Sequence, residues 1–389
     1  MEPRKNLVGL IDAYQKLKPI VRNQYALVIG GGKGWKDDEI ISSLNRLRAS
    51  GATIFQTGFV SDKERAALYM GATLYVMPSH YEGFGMQLLE GMTYGVPMLV
   101  SDIPVLREVA GDAAAYCGTD PSSIAVALEN LLSTPDRREK LVQAGKKRLH
   151  SFSWKMLHVT YTLTYWSTFN EPYCHRRARV WHEHWAICRQ AHRKSPRPTA
   201  ISFIYGADKI PRLAALQKLA PSFDIVPSDI KEFTFAEQLA LKRQIQTLRP
   251  DLVHFTIVQQ PVFYRGVAVT TMHDLTTLRF RNPAKNTAVF WAKQQVYKWV
   301  NKRVARKSVA VITPSDFVKQ DVARYCSIAP SKITVTHEAA EAISDAAESV
   351  ELLAGKVFLM YTGRPTPHKN LGRLIDTFAV LQKHTLSLC

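Results

Sequence analysis

Short runs of apolar residues alternate with segments of helical spacing throughout residues 5–168. The apolar runs predict buried strands at 25–29, 53–55, 74–77 and 98–100. Amphipathic segments lie between them, and one of these, 62–70, begins after a capping residue, Ser61. Because strands that alternate with helices form parallel sheets, this pattern predicts an α/β domain with helices on both faces.

The pattern is interrupted at residues 169–198 and then resumes. This segment is crowded with histidine, arginine and tryptophan and has no steady apolar period, which predicts a basic linker or a fusion seam. Residues 199–350 again alternate strands and helices, with one strand ending at His273 and a long helix over 285–306. A chain of 389 residues suits two domains of this kind.

The most informative loop follows the predicted strand at 74–77. Gly83 and Gly85 permit a tight turn there, and helical spacing begins at Met86. Glu82 is therefore expected at the carboxyl end of a parallel strand, where ligands bind to such sheets. Glu90 is expected about one turn inside the helix. The backbone N–H groups of residues 84–88 form a helix N-terminus, which predicts a site for a phosphate-bearing ligand.

The string from Glu82 to Gly91 resembles the Glu-x7-Glu signature of retaining nucleotide-sugar glycosyltransferases, family 4 (glycosyl transferases group 1). This resemblance implies an α/β fold of two Rossmann-like domains (GT-B), with parallel sheets flanked by helices. It implies transfer of a hexose from a nucleotide diphosphate sugar to a sugar or lipid-linked acceptor, with retention, in cell-envelope or polysaccharide synthesis. A mannosyltransferase-like activity fits this expectation.

The resemblance also implies roles for individual residues. Glu82 would lie near the donor sugar and stabilise positive charge at the anomeric carbon, and Glu90 would bind the ribose hydroxyls. The other implied donor contacts are Gly83, Phe84, Gly85, Gly31, Gly32 and His273. From the residues alone, the histidine could equally be a structural group at a strand end. No Asp-x-Asp motif is present, so we expect no metal and no cofactor besides the donor substrate.

One sequence unit occurs twice in the chain. Residues 369–378 parallel residues 5–14, and in the family this unit opens the nucleotide-binding domain. Arg364 and Lys369 resemble the basic pair that contacts the diphosphate in the family, and Lys5 is the matching lysine of the first copy.

The duplication leaves two interpretations of the domain order. Residues 1–168 would be a nucleotide-sugar-binding domain without its first strand, residues 199–350 an acceptor-type domain that is complete or truncated, and residues 351–389 the opening strand and helix of a nucleotide-binding domain. In a circular permutant, the last segment supplies the missing strand. In a fusion of two truncated neighbours, it belongs to an unfinished second copy, and two similar helices compete for one position.

Composition and charge limit the classes of partner that the chain is expected to bind. The formal net charge is +18, which attracts anions such as nucleotide diphosphates, acidic lipid headgroups and nucleic acid. Among these, the resemblance favours peripheral contact with an anionic membrane at its inner face. Nucleic acid has only the charge in its favour. Five scattered cysteines predict a reducing, cytoplasmic location, and no apolar run is long enough to predict a membrane span.

Two alternative functions stay open at this stage. The chain could be an inactive fusion or truncated glycosyltransferase product, or it could be a basic nucleic-acid-binding protein. A structural zinc site is a further option, because cysteine and histidine recur within residues 174–192. Their spacing matches none of the familiar zinc patterns, so we predict no metal ligands.

Overall fold

The computed structural model comprises two compact units, which we describe separately. Unit 1 contains residues 1–153, 276–290 and 338–389, and unit 2 contains residues 154–275 and 291–337. The structure describes residues 10, 13, 14, 16–18, 21, 24–31, 53–58, 60–152, 186–190, 200–206, 223–228, 230, 235–279, 287–340, 350, 353 and 355–362.

Unit 1 is built on a six-stranded, wholly parallel sheet. Its strands are β1 (Ala26–Gly30), β2 (Ile54–Gly58), β3 (Leu74–Met77), β4 (Met98–Ser101), β5 (Ala115–Cys117) and β13 (Phe358–Thr362), in the order β2-β1-β13-β3-β4-β5. Between and after these strands, the described residues form the helices α1 (Asp62–Gly71), α2 (Met86–Thr93), α3 (Pro104–Ala110), α4 (Pro121–Ser133) and α5 (Pro135–Leu149). The strands predicted at 25–29, 53–55, 74–77 and 98–100 and the helix predicted at 62–70 are confirmed, with ends that differ by at most three residues.

The helix signals in the sequence have direct physical counterparts in unit 1. At the start of α1, the Ser61 hydroxyl accepts the N–H of Glu64, and the Glu64 carboxylate accepts the N–H of Ser61. This capping box satisfies two N–H groups that the helix itself leaves without an acceptor. The Asp120 carboxylate caps α4 in a similar way, by accepting the N–H of Ser123.

The sixth strand of unit 1 comes from the far end of the chain. β13 lies between β1 and β3, with Leu27 opposite Leu359 and Met360 opposite Tyr75. Its side chains are buried, because apolar parallel strands in the middle of an α/β sheet are covered on both faces. A strand from residues 358–362 is therefore one of the central strands of this sheet.

The N-terminal copy of the duplicated unit packs against this sheet. Residues 10, 13, 14 and 16 are helical. Leu10, Ala13, Tyr14 and Leu17 are fully buried in the same apolar cluster as Tyr361. The C-terminal copy, residues 369–378, lies outside the described residues, so the predicted competition between the two helices stays a prediction.

Unit 2 is built on a seven-stranded sheet. Its strands are β6 (Ala186–Gln190), β7 (Ala200–Gly206), β8 (Phe223–Ser228), β9 (Leu252–Phe255), β10 (Ala268–Thr271), β11 (Ala310–Thr313) and β12 (Ile333–Val335), in the order β12-β11-β10-β9-β6-β7-β8. The helices of this part of the chain are α6 (Phe235–Thr247), α7 (Thr276–Arg279), α8 (Thr287–Lys307) and α9 (Asp316–Cys326). Residues 276–290, which contain α7 and the first turn of α8, belong to unit 1.

One strand of unit 2 departs from the sequence-based expectation. β6 lies inside the segment 169–198, which the sequence predicts as a linker or seam. It pairs antiparallel with both β7 and β9, so this sheet is mixed rather than wholly parallel. The linker prediction is therefore wrong for residues 186–190. A five-residue strand gives too short an apolar run to stand out from a basic, histidine-rich background.

The α/β fold class of two Rossmann-like units is confirmed, with a parallel sheet in unit 1 and a sheet in unit 2 that is parallel except at β6. The unit boundaries differ from the predicted ones, because residues 276–290 and 338–350 associate with unit 1 rather than with the second domain. Among the residues that the structure describes, no helix is both long and apolar enough to cross a bilayer.

Candidate functional site

Several candidate residues lie at the carboxyl ends of the parallel strands of unit 1, which we call the carboxyl edge of the sheet. Gly31 follows β1, Thr362 ends β13 and Glu82 lies in the loop after β3. Because these three strands are neighbours and run in the same direction, the groups that follow them share an edge. The predicted grouping of the loop after β1 with the Glu82 loop agrees with this topology.

Glu82 is buried, with 3% of its surface exposed. The Ser79 hydroxyl donates a hydrogen bond to Oε1 of Glu82 at 2.8 Å. Ser79 is itself held by β4, because the Ser101 hydroxyl donates to the Ser79 carbonyl oxygen. A buried carboxylate is costly unless such donors accompany it, so this arrangement fixes where the carboxylate can point.

The turn between Glu82 and α2 depends on one glycine conformation. Gly85 has φ +94°, in the left-handed region that favours glycine, and a Cβ there would lie 3.1 Å from Cδ2 of Leu106. Phe84 is buried and meets Phe152 edge to face, with ring centroids 5.8 Å apart. The N–H of Leu88 donates to the carbonyl of Gly85 at 2.8 Å, so this N–H is engaged within the helix rather than directed at a ligand.

Glu90 is the terminus of a chain of hydroxyl groups. The Tyr69 hydroxyl donates to Oε2 of Glu90 at 3.0 Å, and it lies 3.5 Å from the Thr362 hydroxyl. The Thr362 hydroxyl is in turn 2.9 Å from that of Tyr75. Since each hydroxyl has one proton, a Tyr69 that donates to Glu90 accepts from Thr362, which then accepts from Tyr75. The donors therefore point in one direction, towards the carboxylate.

Burial keeps this chain of hydroxyls neutral. It raises the pKa of Tyr69 well above the ordinary value, and the neighbouring Tyr75 and Glu90 add to the effect. Burial likewise raises the pKa of Tyr75, against a hydrogen bond with Thr362 that lowers it. Both tyrosines therefore act as proton donors in hydrogen bonds at neutral pH and not as anions. The sequence reasoning missed Tyr69, Tyr75 and Thr362, because only the folded sheet brings these positions together.

Arg279 lies beside the Glu82 loop, and Gly31 follows β1. Arg279 of α7 places its guanidinium 5.5 Å from the ring centroid of Tyr81, next to Glu82 in the chain. The sequence analysis did not single out this arginine. Gly31 has φ +137°, and its N–H donates to the Gly58 carbonyl at 2.9 Å. Gly31 is thus a turn residue that continues the β1–β2 ladder.

Several predicted site residues lie outside the described residues, and their roles stay predictions. These residues are Lys5, Gly32, Arg364 and Lys369. The predicted donor contacts that the structure does describe are Gly31, the residues of the Glu82–Glu90 segment, and His273 in unit 2.

Unit 2 presents histidines at the equivalent edge of its own sheet. His254 lies in β9 and is 2% exposed, with its Nε2 2.8 Å from the Thr271 hydroxyl. His273 follows β10, and its Nε2 lies 3.1 Å from the Thr256 carbonyl oxygen. Burial, with a smaller contribution from His273, lowers the pKa of His254 to about 3. The sequence reasoning named His273 and did not assign a role to His254.

A surface groove of about 440 Å³ lies elsewhere on unit 1, beside β5 and α4. Tyr116, Ser123, Asn130 and Arg137 are among the residues that line it. None of the predicted site residues contributes to this groove. It therefore gives no support to the predicted donor site.

Two family models match the chain, one in each half. Residues 1–148 match the model described as "Glycosyl transferases group 1", and residues 182–340 match "Glycosyltransferase Family 4". Each half is therefore similar to a glycosyltransferase family, with the group 1 match first.

Curated relatives point to the same class of protein. The chain is 39% identical over 158 residues to an O-antigen chain mannosyltransferase B of Escherichia coli, a match that covers 40% of this chain and 41% of the relative. It is 31% identical over 156 residues to a serotype-specific mannosyltransferase WbdA of Escherichia coli, which covers 40% of this chain and 19% of that protein. The chain thus spans less than half of the length of these relatives.

Among solved structures, a sucrose-phosphate synthase from Thermosynechococcus elongatus is similar at 23% identity, with a TM-score of 0.38. The match covers 43% of each chain. The glycosyltransferase WaaG, involved in lipopolysaccharide biosynthesis, is similar at 19% identity with a TM-score of 0.33. That match covers 37% of this chain and 39% of WaaG.

Proposed function

We propose that this chain is a glycosyltransferase that moves a hexose, of the mannose type, from a nucleotide diphosphate sugar to a saccharide or lipid-linked acceptor with retention. The observation that carries the proposal is the pair Glu82 and Glu90 at one edge of the unit 1 sheet. Each carboxylate accepts a hydrogen bond from a hydroxyl that other buried groups hold in place. Mannosyltransferase relatives support the choice of sugar.

The chemistry requires stabilisation of two opposite charges. As the bond between the anomeric carbon and the diphosphate breaks, positive charge develops on the sugar and negative charge on the departing diphosphate. In our proposal, Glu82 stabilises the sugar, because a buried carboxylate acts in surroundings that screen charge weakly. The acceptor hydroxyl then bonds to that carbon on the face that the diphosphate leaves, and its proton passes to the departing diphosphate.

Glu90 has a different part in the proposal. Its carboxylate accepts hydrogen bonds from the ribose hydroxyls of the donor while Tyr69 keeps it oriented. The cations that stabilise the diphosphate are Arg364, Lys369 and Lys5, as the family resemblance implies. His273 stays a candidate for contact with the donor sugar on the same basis.

The decisive experiment is Glu82→Gln, a change that keeps the shape of the side chain and removes its charge. We expect a loss of about a hundredfold or more in transfer rate from a nucleotide diphosphate mannose, with little change in the melting temperature. Calorimetric titration with GDP, UDP and ADP identifies the base. Unchanged turnover in Glu82→Gln would remove this glutamate from the mechanism.

Ser123→Ala is the matched control, because Ser123 lines the groove beside α4 and lies outside the proposed site. It should leave the transfer rate within about twofold. The inactive-fusion alternative predicts no transfer and no binding of any of the three nucleotides by the unaltered chain.

A further inference from the structure

Helix α5 of unit 1 packs closely on α2, the helix that carries Glu90. A Cβ added to Gly145 of α5 would lie 3.1 Å from Cγ of Met92 in α2. Both residues are buried. A glycine at position 145 therefore lets the two helices approach each other at this point.

Near its C-terminus, α5 also holds α3. The Arg148 guanidinium donates from Nε to the Val109 carbonyl at 2.9 Å and from Nη2 to the Glu108 carbonyl at 2.6 Å. The last carbonyl groups of a helix have no partner within the helix, and an arginine can supply the missing donors. The two hydrogen bonds therefore fix the C-terminus of α3 to α5.

Phe152, just after α5, contacts the Glu82 loop. Its ring meets that of Phe84 edge to face, with the centroids 5.8 Å apart and the planes at 77°. The Arg148 guanidinium lies 5.0 Å from the Phe152 centroid. Edge-to-face pairs and cation–π contacts both prefer particular orientations, so the position of Phe152 limits where Phe84 can lie.

The next residue of the loop packs on α3. A Cβ at Gly85 would lie 3.1 Å from Cδ2 of Leu106, which is fully buried in α3. Arg148 therefore reaches the loop by two routes, through Phe152 to Phe84 and through α3 to Gly85. Ser79 orients the Glu82 carboxylate from the strand side of the same loop.

We infer that Arg148 and Phe152 are positioning residues for Glu82, which act by fixing the loop that carries it. The inference rests on the proposed role of Glu82 in transfer. Because a misplacement of about 1 Å can cost about a hundredfold in rate, a small movement of this loop is enough to slow the reaction. Tyr69 orients Glu90 separately, so donor binding should depend little on these two residues.

Phe152→Leu tests the ring contact with Phe84. It keeps an apolar side chain, and we expect kcat to fall about tenfold while KM for the donor stays within about twofold. Tyr264→Leu is the matched control, because it removes an edge-to-face pair with Phe255 in unit 2, with centroids 6.0 Å apart. The control should leave kcat within about twofold.

Arg148→Met tests the attachment of α3. We expect kcat to fall about fivefold, again with little change in KM. The matched control is Arg138→Met, because Nη1 of Arg138 donates to the carbonyls of Leu131 at 2.6 Å and Leu132 at 2.7 Å, near the C-terminus of α4. This control should change kcat by less than about twofold. Arg148 is only half-buried, so this variant keeps the test available if Phe152→Leu does not fold.

Hydrogen exchange tests the positioning without an assay of transfer. The Leu88 N–H donates to the Gly85 carbonyl at 2.8 Å, so its exchange rate reports on the turn that follows Glu82. We expect exchange at Leu88 to be at least about tenfold faster in Phe152→Leu and Arg148→Met. It should be unchanged in Tyr264→Leu and Arg138→Met. Mass spectrometry of peptides that contain Leu88 measures it.

The outcomes separate this inference from the proposed function. Unchanged kcat in Phe152→Leu and Arg148→Met, with transfer by the unaltered chain, would overturn the inference alone. Equal falls in kcat in the variants and their controls would also overturn it, because they would indicate a general loss of stability. If the unaltered chain transfers no sugar, the proposed function fails. Unchanged exchange at Leu88 in both variants would overturn the inference in either case.

Discussion

The two units carry different chemistry at the carboxyl ends of their central strands. In unit 1, two carboxylates, Glu82 and Glu90, are held by hydroxyl donors from Ser79 and Tyr69. In unit 2, His254 and His273 are held by the Thr271 hydroxyl and a backbone carbonyl. Similar sheets therefore present acidic groups in one unit and imidazoles in the other.

The two edges also differ in where their parts come from in the chain. In unit 2, His254 lies in β9 and His273 follows β10, and these two strands are neighbours in both sequence and sheet. The unit 1 edge needs β13, whose Thr362 hydroxyl is 293 positions from Tyr69 and 287 from Tyr75. The unit 1 site therefore forms only when segments far apart in the chain have paired in the sheet. The histidines of unit 2 need only the pairing of two strands that are close in sequence.

The largest expected effect comes from removal of residues 351–389. This deletion takes β13 out of the middle of the unit 1 sheet and exposes the partners of Leu359 and Tyr361, which are fully buried. We expect unit 1 to lose its cooperative unfolding transition, since a missing central strand leaves unpaired backbone on both sides. Limited proteolysis should show cleavage of residues 53–152 and survival of unit 2.

The matched control for this deletion removes only residues 363–389 and keeps β13. It should preserve the fold of unit 1 and weaken nucleotide binding, because Arg364 and Lys369 are lost. A stable, protease-resistant unit 1 in the longer deletion would support the fusion of two truncated neighbours. Loss of unit 1 would support an arrangement in which the last segment completes the first domain.

A smaller effect is expected at His254 of unit 2, and it depends on pH. The ordinary pKa of histidine is about 6.5 and that of His254 is lowered to about 3, so the unfolded chain binds a proton between these values that the folded chain does not. Stability contributed by the neutral His254 is present above pH 6.5 and is lost as the pH falls. The expected loss is at most about 1.4 kcal/mol per pH unit.

Hydrogen exchange at β9 and β10 between pH 4 and 7 measures how the free energy of unfolding changes with pH. His254→Gln should reduce this pH dependence and lower the stability at pH 7. His150→Gln is the control, because His150 is exposed at the end of α5 in unit 1. An identical slope in His254→Gln and the unaltered chain would contradict the burial argument.

The smallest expected effect is that of Tyr69→Phe in unit 1. This change removes the hydroxyl that donates to Glu90 and leaves the ring in place. We expect KM for the donor to rise about tenfold with kcat nearly unchanged, because an oriented ribose contact is lost rather than a group at the reacting carbon.

Tyr116→Phe is the control for the tyrosine variant. The Tyr116 hydroxyl donates to the Gly111 carbonyl at 2.6 Å, which gives a matched loss of one hydrogen bond outside the Glu90 hydroxyl chain. A fall in kcat without a change in KM for Tyr69→Phe would contradict an orienting role.

Much of the fold was predictable because its signals are local. The strand before Glu82 and the helix after Gly85 were located to within a few residues, since apolar runs, glycines and capping residues act over short distances. β6 was missed for the converse reason: its five residues form a strand only because β7 and β9 lie on either side.

The sequence by itself determined that Glu82 lies in a strand-to-helix loop, that Glu90 lies about one turn inside the helix, and that a glycine at position 85 makes the turn between them. Only the tertiary structure decided that a strand from residues 358–362 lies between β1 and β3, and that Tyr69, Tyr75 and Thr362 line up behind Glu90. The physical reason is the distance along the chain over which each kind of interaction acts. Turn and helix preferences arise from neighbouring residues, whereas strand order and hydroxyl chains arise from backbone pairing between segments far apart in the chain.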